Sequence, residues 1–133
     1  MSSTGDRERS QAPRALHIIV ADDDRDAALT LQMILCDEGH DVRVVYSGRD
    51  VMKAVIEMSP DAVVLDIHLP EVSGWQLAQT IRARGGRTPL IIGISGVYTK
   101  GPDRALAHMT GFDHYFVKPY PPAEVVKLLE PLL

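Results

Sequence analysis

Cysteine is nearly absent from this 133-residue chain, where Cys36 stands alone. One thiol excludes an internal disulfide framework and any zinc site built on several cysteines. A reducing, cytoplasmic setting is the simplest one for it. Long apolar runs are also lacking. No stretch reaches the ~18 residues that a membrane span needs, and the chain does not open on a basic-then-apolar signal sequence. Nor is there a surplus of positive charge. The 14 Lys and Arg face 18 Asp and Glu, a formal −4, which argues against a nucleic-acid surface of clustered basic residues. What is present is an apolar fraction of 45%. That is enough for a real core in one domain with a radius of gyration of about 14 Å.

Residues 1–15 form a predicted disordered leader, because up to Arg14 almost nothing could be buried. From Leu16 two kinds of segment alternate. Short runs rich in Val and Ile occur at Leu16–Ala21, Val42–Tyr46, Ala62–Leu65, Leu90–Ile94 and Tyr115–Val117, and their length and composition predict strands. Between them lie apolar residues at helical spacing. Leu31, Ile34 and Leu35 precede Gly39. Val51, Ala54, Val55 and Met58 follow a Ser47/Asp50 capping box and end at Pro60. Leu77, Ala78 and Ile81 close on Gly85-Gly86. Leu106 and Met109 mark a weaker fourth helical segment. A fifth holds Val125, Leu128, Leu129 and Leu132, with Pro121 and Pro122 at its opening turn, where missing amide donors cost least. No Asn-Gly type of hairpin signal separates two strands, so each crossover carries a helix and the sheet is parallel. The expected fold is α/β, a doubly wound (βα)5 domain over 16–133.

In such a sheet, ligands bind beyond the carboxyl ends of the strands. Asp22, Asp23, Asp24 and Asp26 follow the first predicted strand, Asp66 the third, Ser95 and Gly96 the fourth, and Lys118 the fifth. Neighbouring strands lie about 4.8 Å apart, so acids ending strands one and three come close if those strands are adjacent. Such acids repel unless a proton or a cation intervenes. Oxygen ligands without a dedicated nitrogen or sulfur partner favour Mg²⁺. Lys118 adds a fixed cation for a phosphoryl oxygen, and Ser95 a hydroxyl donor beside the open Gly96 amide. Read from the residues upward, the edge is a Mg²⁺-assisted, phosphoryl-accepting aspartate site. One helix needs only one cap, so Asp24 is read as the cap and Asp26 as a first-turn acid, leaving Asp22 and Asp23 for metal.

Four segments also carry a family resemblance: Val20-Ala21-Asp22-Asp23-Asp24, Leu65-Asp66-Ile67-His68-Leu69-Pro70-Glu71-Val72-Ser73-Gly74, Gly93-Ile94-Ser95-Gly96 and Tyr115-Phe116-Val117-Lys118-Pro119. In order and spacing they resemble the receiver domain of two-component response regulators, from Leu16 to Leu133. The resemblance implies strand order 2-1-3-4-5. It implies that Asp66 accepts a phosphoryl group from a phosphohistidine on a histidine kinase or a histidine phosphotransfer protein. It also implies that Asp22 and Asp23 hold Mg²⁺, one directly and one through water, together with Asp66 and the His68 backbone carbonyl. Lys118, Ser95 and Gly96 would bind the phosphoryl group, and Ser95 and Tyr115 would act as the switch. The fourth helical segment, strand five and the fifth helical segment would form the face read by a downstream protein, and a homodimer on activation is compatible with it. Ser95 stands where Thr is common and Ala21 where Val is usual; neither removes a functional group.

Plainer and rival readings are weighed beside these. Tyr115 could serve as a core aromatic, and Trp75 could be core or rim. His17, His40, His108 and His114 show no i, i+4 metal pairing and read as structural or surface. Cys36 reads as a small buried residue, and the His68 side chain as facing solvent without a catalytic role. A haloacid-dehalogenase-type phosphohydrolase would need a second Asp two residues after the nucleophile, where His68 stands, and length for a cap domain. A flavodoxin-like cofactor binder would need a phosphate loop after strand one, where carboxylates stand. A pseudo-receiver would lack one of the groups present here. The expected protein is a regulatory phosphoacceptor and not a turnover enzyme. No output domain is expected after Leu133, which fits a stand-alone receiver or a piece of a larger regulator.

Overall fold

The computed structural model describes residues 14–96 and 111–133. All five predicted strands are present: β1 (His17–Ala21), β2 (Asp41–Val45), β3 (Ala62–Asp66), β4 (Leu90–Ser95) and β5 (His114–Val117). They form one sheet in the order β2-β1-β3-β4-β5, every pair parallel. Four helices are described, α1 (Arg25–Asp37), α2 (Gly48–Met58), α3 (Gly74–Ala83) and α4 (Pro122–Leu129), and α4 runs into a 3₁₀ turn at Glu130–Leu132. The last of these is the fifth predicted helical segment. The fourth, around Leu106 and Met109, lies outside the described residues, as does the predicted leader up to residue 13.

Strand side chains alternate between faces, and this alternation builds two cores. Ile19, Val63, Leu65 and Ile91 pack with Val51, Val55, Leu77 and Ile81 of α2 and α3. Ile18, Val20, Val64 and Ile92 pack with Ala28, Leu31 and Leu35 of α1 and with Val125 and Leu129 of α4. Both faces of the sheet are therefore dry, which is why β3 and β4 read as unbroken apolar runs. Gly93 gives Phe112 its seat, since a Cβ there would meet the ring at 2.6 Å. Trp75 meets Phe112 edge-on at 5.6 Å between centroids and packs on the first core.

The helix starts follow local chemistry. The Asp24 carboxylate accepts from the Ala27 N–H at 3.2 Å, as predicted for the cap of α1. Ser73 caps α3 by accepting from the Gln76 N–H at 3.4 Å. At α2 the predicted capping box is not made. Ser47 precedes the helix, but its hydroxyl donates to the Asp50 carboxylate at 3.2 Å instead of accepting from a backbone amide. An acid that close offers a stronger acceptor than the hydroxyl is. Cys36 is exposed, contrary to the expectation that it is buried. Ala28, Leu31 and Leu35 are the residues α1 turns inward, and one further residue rotates Cys36 by about 100° out of that stripe.

The far end of the sheet is fixed by polar groups. The buried Asp61 carboxylate accepts from the His17 N–H at 2.9 Å, pairs with Arg14 at 2.5 Å and also pairs with Arg87. Arg14, assigned by sequence to the leader, is thus tied to the domain. His40 is a structural histidine, as expected, and its Nδ1 accepts from the Leu16 N–H at 3.1 Å. Arg82 of α3 reaches the Gly111 and Pro89 carbonyls and pairs with Asp113, which joins α3 to the chain just before β4 and just before β5. Among the described residues no helix is long and apolar enough to cross a membrane.

Candidate functional site

The register of the sheet brings the predicted acids together. Ala21 of β1 pairs with Leu65 of β3, so the next residues, Asp22 and Asp66, leave neighbouring strands side by side. Asp22 is fixed by its own N–H, which donates to the Val45 carbonyl at 3.1 Å, and its Oδ1 accepts from the Asp24 N–H at 3.0 Å. Asp66 Oδ1 accepts from the His68 N–H at 2.9 Å. Asp22 and Asp66 are buried and Asp23 is exposed, and each of the three turns one carboxylate oxygen to within 4.8 Å of the others.

Lys118 enters from the end of β5. Its N–H donates to the Ser95 carbonyl at 2.7 Å, and the Lys118–Pro119 peptide is cis. The ammonium lies 2.8 Å from Asp22 Oδ2 and 3.4 Å from Asp66 Oδ2. Ser95 ends β4 fully buried, and exposed Gly96 follows it beside the Lys118 stem. The His68 side chain is exposed, as expected; its backbone is what touches the site. Tyr115 pairs in register with Gly93 and packs half-buried on the core formed with α2 and α3.

The electrostatics follow from this crowding. Burial pushes the Asp66 carboxyl above the usual carboxylate range, and Asp22 beside it adds to the shift, against the His68 N–H and the Lys118 charge. For Lys118, burial works downward, but Asp22 and Asp66 outweigh it and the ammonium is held more tightly protonated than usual. Burial, with the Asp22 charge behind it, pushes the Tyr120 phenol up to about 12. Tyr120 stacks on Phe116, with 5.4 Å between ring centroids. It also lines a groove of about 540 Å³ that runs from Lys118 along α1, past Ala27 and Leu31.

All the sequence-predicted site residues are described. Asp22, Asp23, Asp66 and Lys118 converge, and Ser95 and Gly96 flank them through the backbone of β4. Tyr115 is set on the core below. Sequence reasoning assigned no role to two glycines. Gly74 lies so close to the chain after Asp66 that a Cβ would sit 2.6 Å from Ile67 Cα and 2.8 Å from the Asp66 carbonyl oxygen. Gly48 lies as tightly on Val72. Gly74 belongs to a quoted motif, so its position was a usable signal; Gly48 offered none beyond opening a helix.

Residues 18–130 match the family model of the response regulator receiver domain. The chain is 36% identical over 109 residues to the DNA-binding response regulator MtrA of Mycobacterium tuberculosis, covering 82% of this chain and 46% of that protein. It is 31% identical over 116 residues to the transcriptional regulatory protein PrrA of the same organism, covering 87% of this chain and 49% of that one. The chain thus spans about half the length of these curated relatives. Its fold superposes on the Francisella response regulator 1452 receiver domain with a TM-score of 0.81 at 23% identity, covering 88% and 95% of the two chains. A receiver domain from Methylobacillus flagellatus gives 0.76 at 27% identity, covering 90% and 100%. With the acids, the lysine and the strand order in their expected places, this chain belongs to the response regulator receiver domain family of two-component signalling systems.

Proposed function

We propose that Asp66 is the phosphoacceptor of this receiver and that residues 16–133, with Arg14 tied to them through Asp61, are its signalling unit. The observation that carries this reading is the convergence at Asp66. Oxygens of Asp22, Asp23 and Asp66 lie within 4.8 Å of one another, and the Lys118 ammonium is 3.4 Å from Asp66. The donor set fits Mg²⁺, being all hard oxygen with negative charge that one lysine leaves incompletely neutralised. Asp22, Asp23, Asp66 and the His68 carbonyl would hold the ion. Bound there, Mg²⁺ would offset the acids and polarise the oxygens of an incoming phosphoryl group.

The remaining chemistry falls to the chain. An Asp66 carboxylate oxygen attacks the phosphorus of a phosphohistidine on a histidine kinase or a histidine phosphotransfer protein. The P–O bond forms as the P–N bond breaks, and its electron pair leaves with the donor's imidazole. Lys118 holds a phosphoryl oxygen, and Ser95 and Gly96 supply further donors. Closure of Ser95 on the new group frees space for Tyr115 and biases the face made by β5 and α4 toward a downstream protein. No nucleic-acid contact is proposed for this chain itself, whose formal charge is −4. A cytoplasmic site of action completes the reading.

Borotritide reduction of the phosphorylated chain tests the assignment, because it converts an aspartyl phosphate to labelled homoserine. After incubation with Mg²⁺ and a small phosphodonor, peptide mapping should place the label at position 66 alone. Label at any other position, or none, overturns it.

A further inference from the structure

No side chain in the segment between Asp66 and α3 makes a hydrogen bond or ion pair with the acids, yet its backbone does. The His68 N–H holds Asp66 Oδ1 at 2.9 Å. What fixes this segment is therefore part of the site. At its α3 end the Gly74 N–H donates to the Ile67 carbonyl at 2.8 Å, with no room for a Cβ between Gly74 and the Asp66–Ile67 backbone. At its β2 side the Gly48 N–H donates to the Pro70 carbonyl at 3.2 Å, and a Cβ on Gly48 would lie 2.5 Å from the Val72 carbonyl oxygen and 2.7 Å from Val72 Cβ. Arg49 continues the contact by pairing with Glu71 at 2.8 Å, and Glu71 is held at a φ of 75° that a non-glycine residue seldom adopts.

We infer that Gly48, on the opening turn of α2, is a positioning residue for the Asp66 site, acting through the backbone of the 67–73 segment. The atoms that a larger residue would strike belong to Val72 itself and not to the yielding end of a long side chain. Its Cβ can be admitted only by moving α2 or the segment. α2 is anchored by Val51, Ala54 and Val55, each almost wholly buried, so the segment gives way. Its far end is pinned, since the Ile67 N–H donates to the Ile94 carbonyl at 2.8 Å and Gly74 closes on Ile67. The displacement is then taken up between His68 and Val72, where the His68 N–H meets Asp66. The inference rests on the phosphoacceptor reading of Asp66, because it treats the His68 backbone as part of that site.

The test uses the whole chain and three variants, with Mg²⁺ alone as the ligand and His68 amide hydrogen exchange without metal as a second readout. Gly48→Ala should weaken Mg²⁺ binding by about tenfold, the size expected when groups that orient a metal's ligands are disturbed, and should speed exchange at the His68 amide. Val125→Ala, in the core on the other face of the sheet, controls for general loss of stability and should change neither. Val72→Gly loosens the same seat without a clash and should produce both effects at smaller size, so it decides the question if Gly48→Ala does not fold. Mg²⁺ affinity and His68 exchange in the Gly48 and Val72 variants that match those of Val125→Ala would overturn the inference. Failure of the wild-type chain to gain a phosphoryl group on Asp66 would instead overturn the reading beneath it.

Discussion

Lys118 sits closer to Asp22 than to Asp66. Its ammonium is 2.8 Å from Asp22 Oδ2 and 3.4 Å from Asp66 Oδ2. The cation expected to receive the phosphoryl group therefore rests chiefly on a predicted metal ligand. A metal held there would share that carboxylate with the lysine, and each would make the other's binding less favourable.

Lys118→Met should accordingly separate the two functions. Removing a positive charge beside three acids should raise Mg²⁺ affinity by about tenfold or more, since a divalent ion within a few ångströms feels that charge strongly even when it is well screened. The same change should slow phosphorylation by a small donor by about tenfold, through loss of a charge-assisted contact to the phosphoryl oxygens. Isothermal titration and a mass time course read the two effects. Weaker Mg²⁺ binding in the variant would count against the geometry described.

Asp66 is held above its ordinary pKa by burial and by Asp22, so its ionised form disfavours folding. Asp66→Asn should stabilise the metal-free protein near neutral pH, because it removes a carboxylate whose ionised form burial and the Asp22 charge disfavour. The sign fixes the pH dependence. The penalty is present above the folded pKa and fades as pH falls through it, so the advantage of the variant should shrink toward about pH 4. Urea melts at both pH values measure it.

Acid should unfold the domain from its other end, in two stages. His40 accepts from the Leu16 N–H and is held below its ordinary pKa, chiefly by burial, against the opposing charges of Glu38 and Asp61. Its proton is taken up more readily by the unfolded chain, so stability falls as pH drops below about 6.5 toward the folded value. Asp61 is also held low, because the His17 N–H, Arg87 and Arg14 outweigh the cost of its burial. Its contribution is present above the ordinary carboxylate range and is lost as pH falls through the depressed value. His40→Gln should flatten the first stage of a pH-dependent melt. Asp61→Ala should cost about 1–3 kcal/mol at neutral pH, mostly from the orphaned His17 amide, since Arg14 and Arg87 remain largely exposed and solvated.

Much of this fold and its acidic edge is legible in the sequence. Strand ends are visible as the point where a Val and Ile run meets Asp, Ser or Lys, and in a parallel sheet those points share one edge. Asp22, Asp66, Ser95 and Lys118 were legible for that reason. Cys36 was misread because helical phase matters more than residue type: one position past Leu35 leaves the buried stripe. The Ser47 box failed because the pattern fixes spacing but not which group donates. Asp61 could not be found at all. Its partners, Arg14 and Arg87, lie 47 and 26 residues away, and nothing local marks them. Gly48 was hidden for the same reason, since the atoms that exclude its side chain belong to Val72.

The account stands on Asp66. Intact-mass spectrometry of wild type and Asp66→Asn, each incubated with Mg²⁺ and acetyl phosphate, tests it most directly. The wild-type chain should gain a single phosphoryl mass that hydroxylamine removes, and the variant should gain none. A hydroxylamine-labile adduct that survives in Asp66→Asn, or a wild type that never gains one, would contradict the central claim.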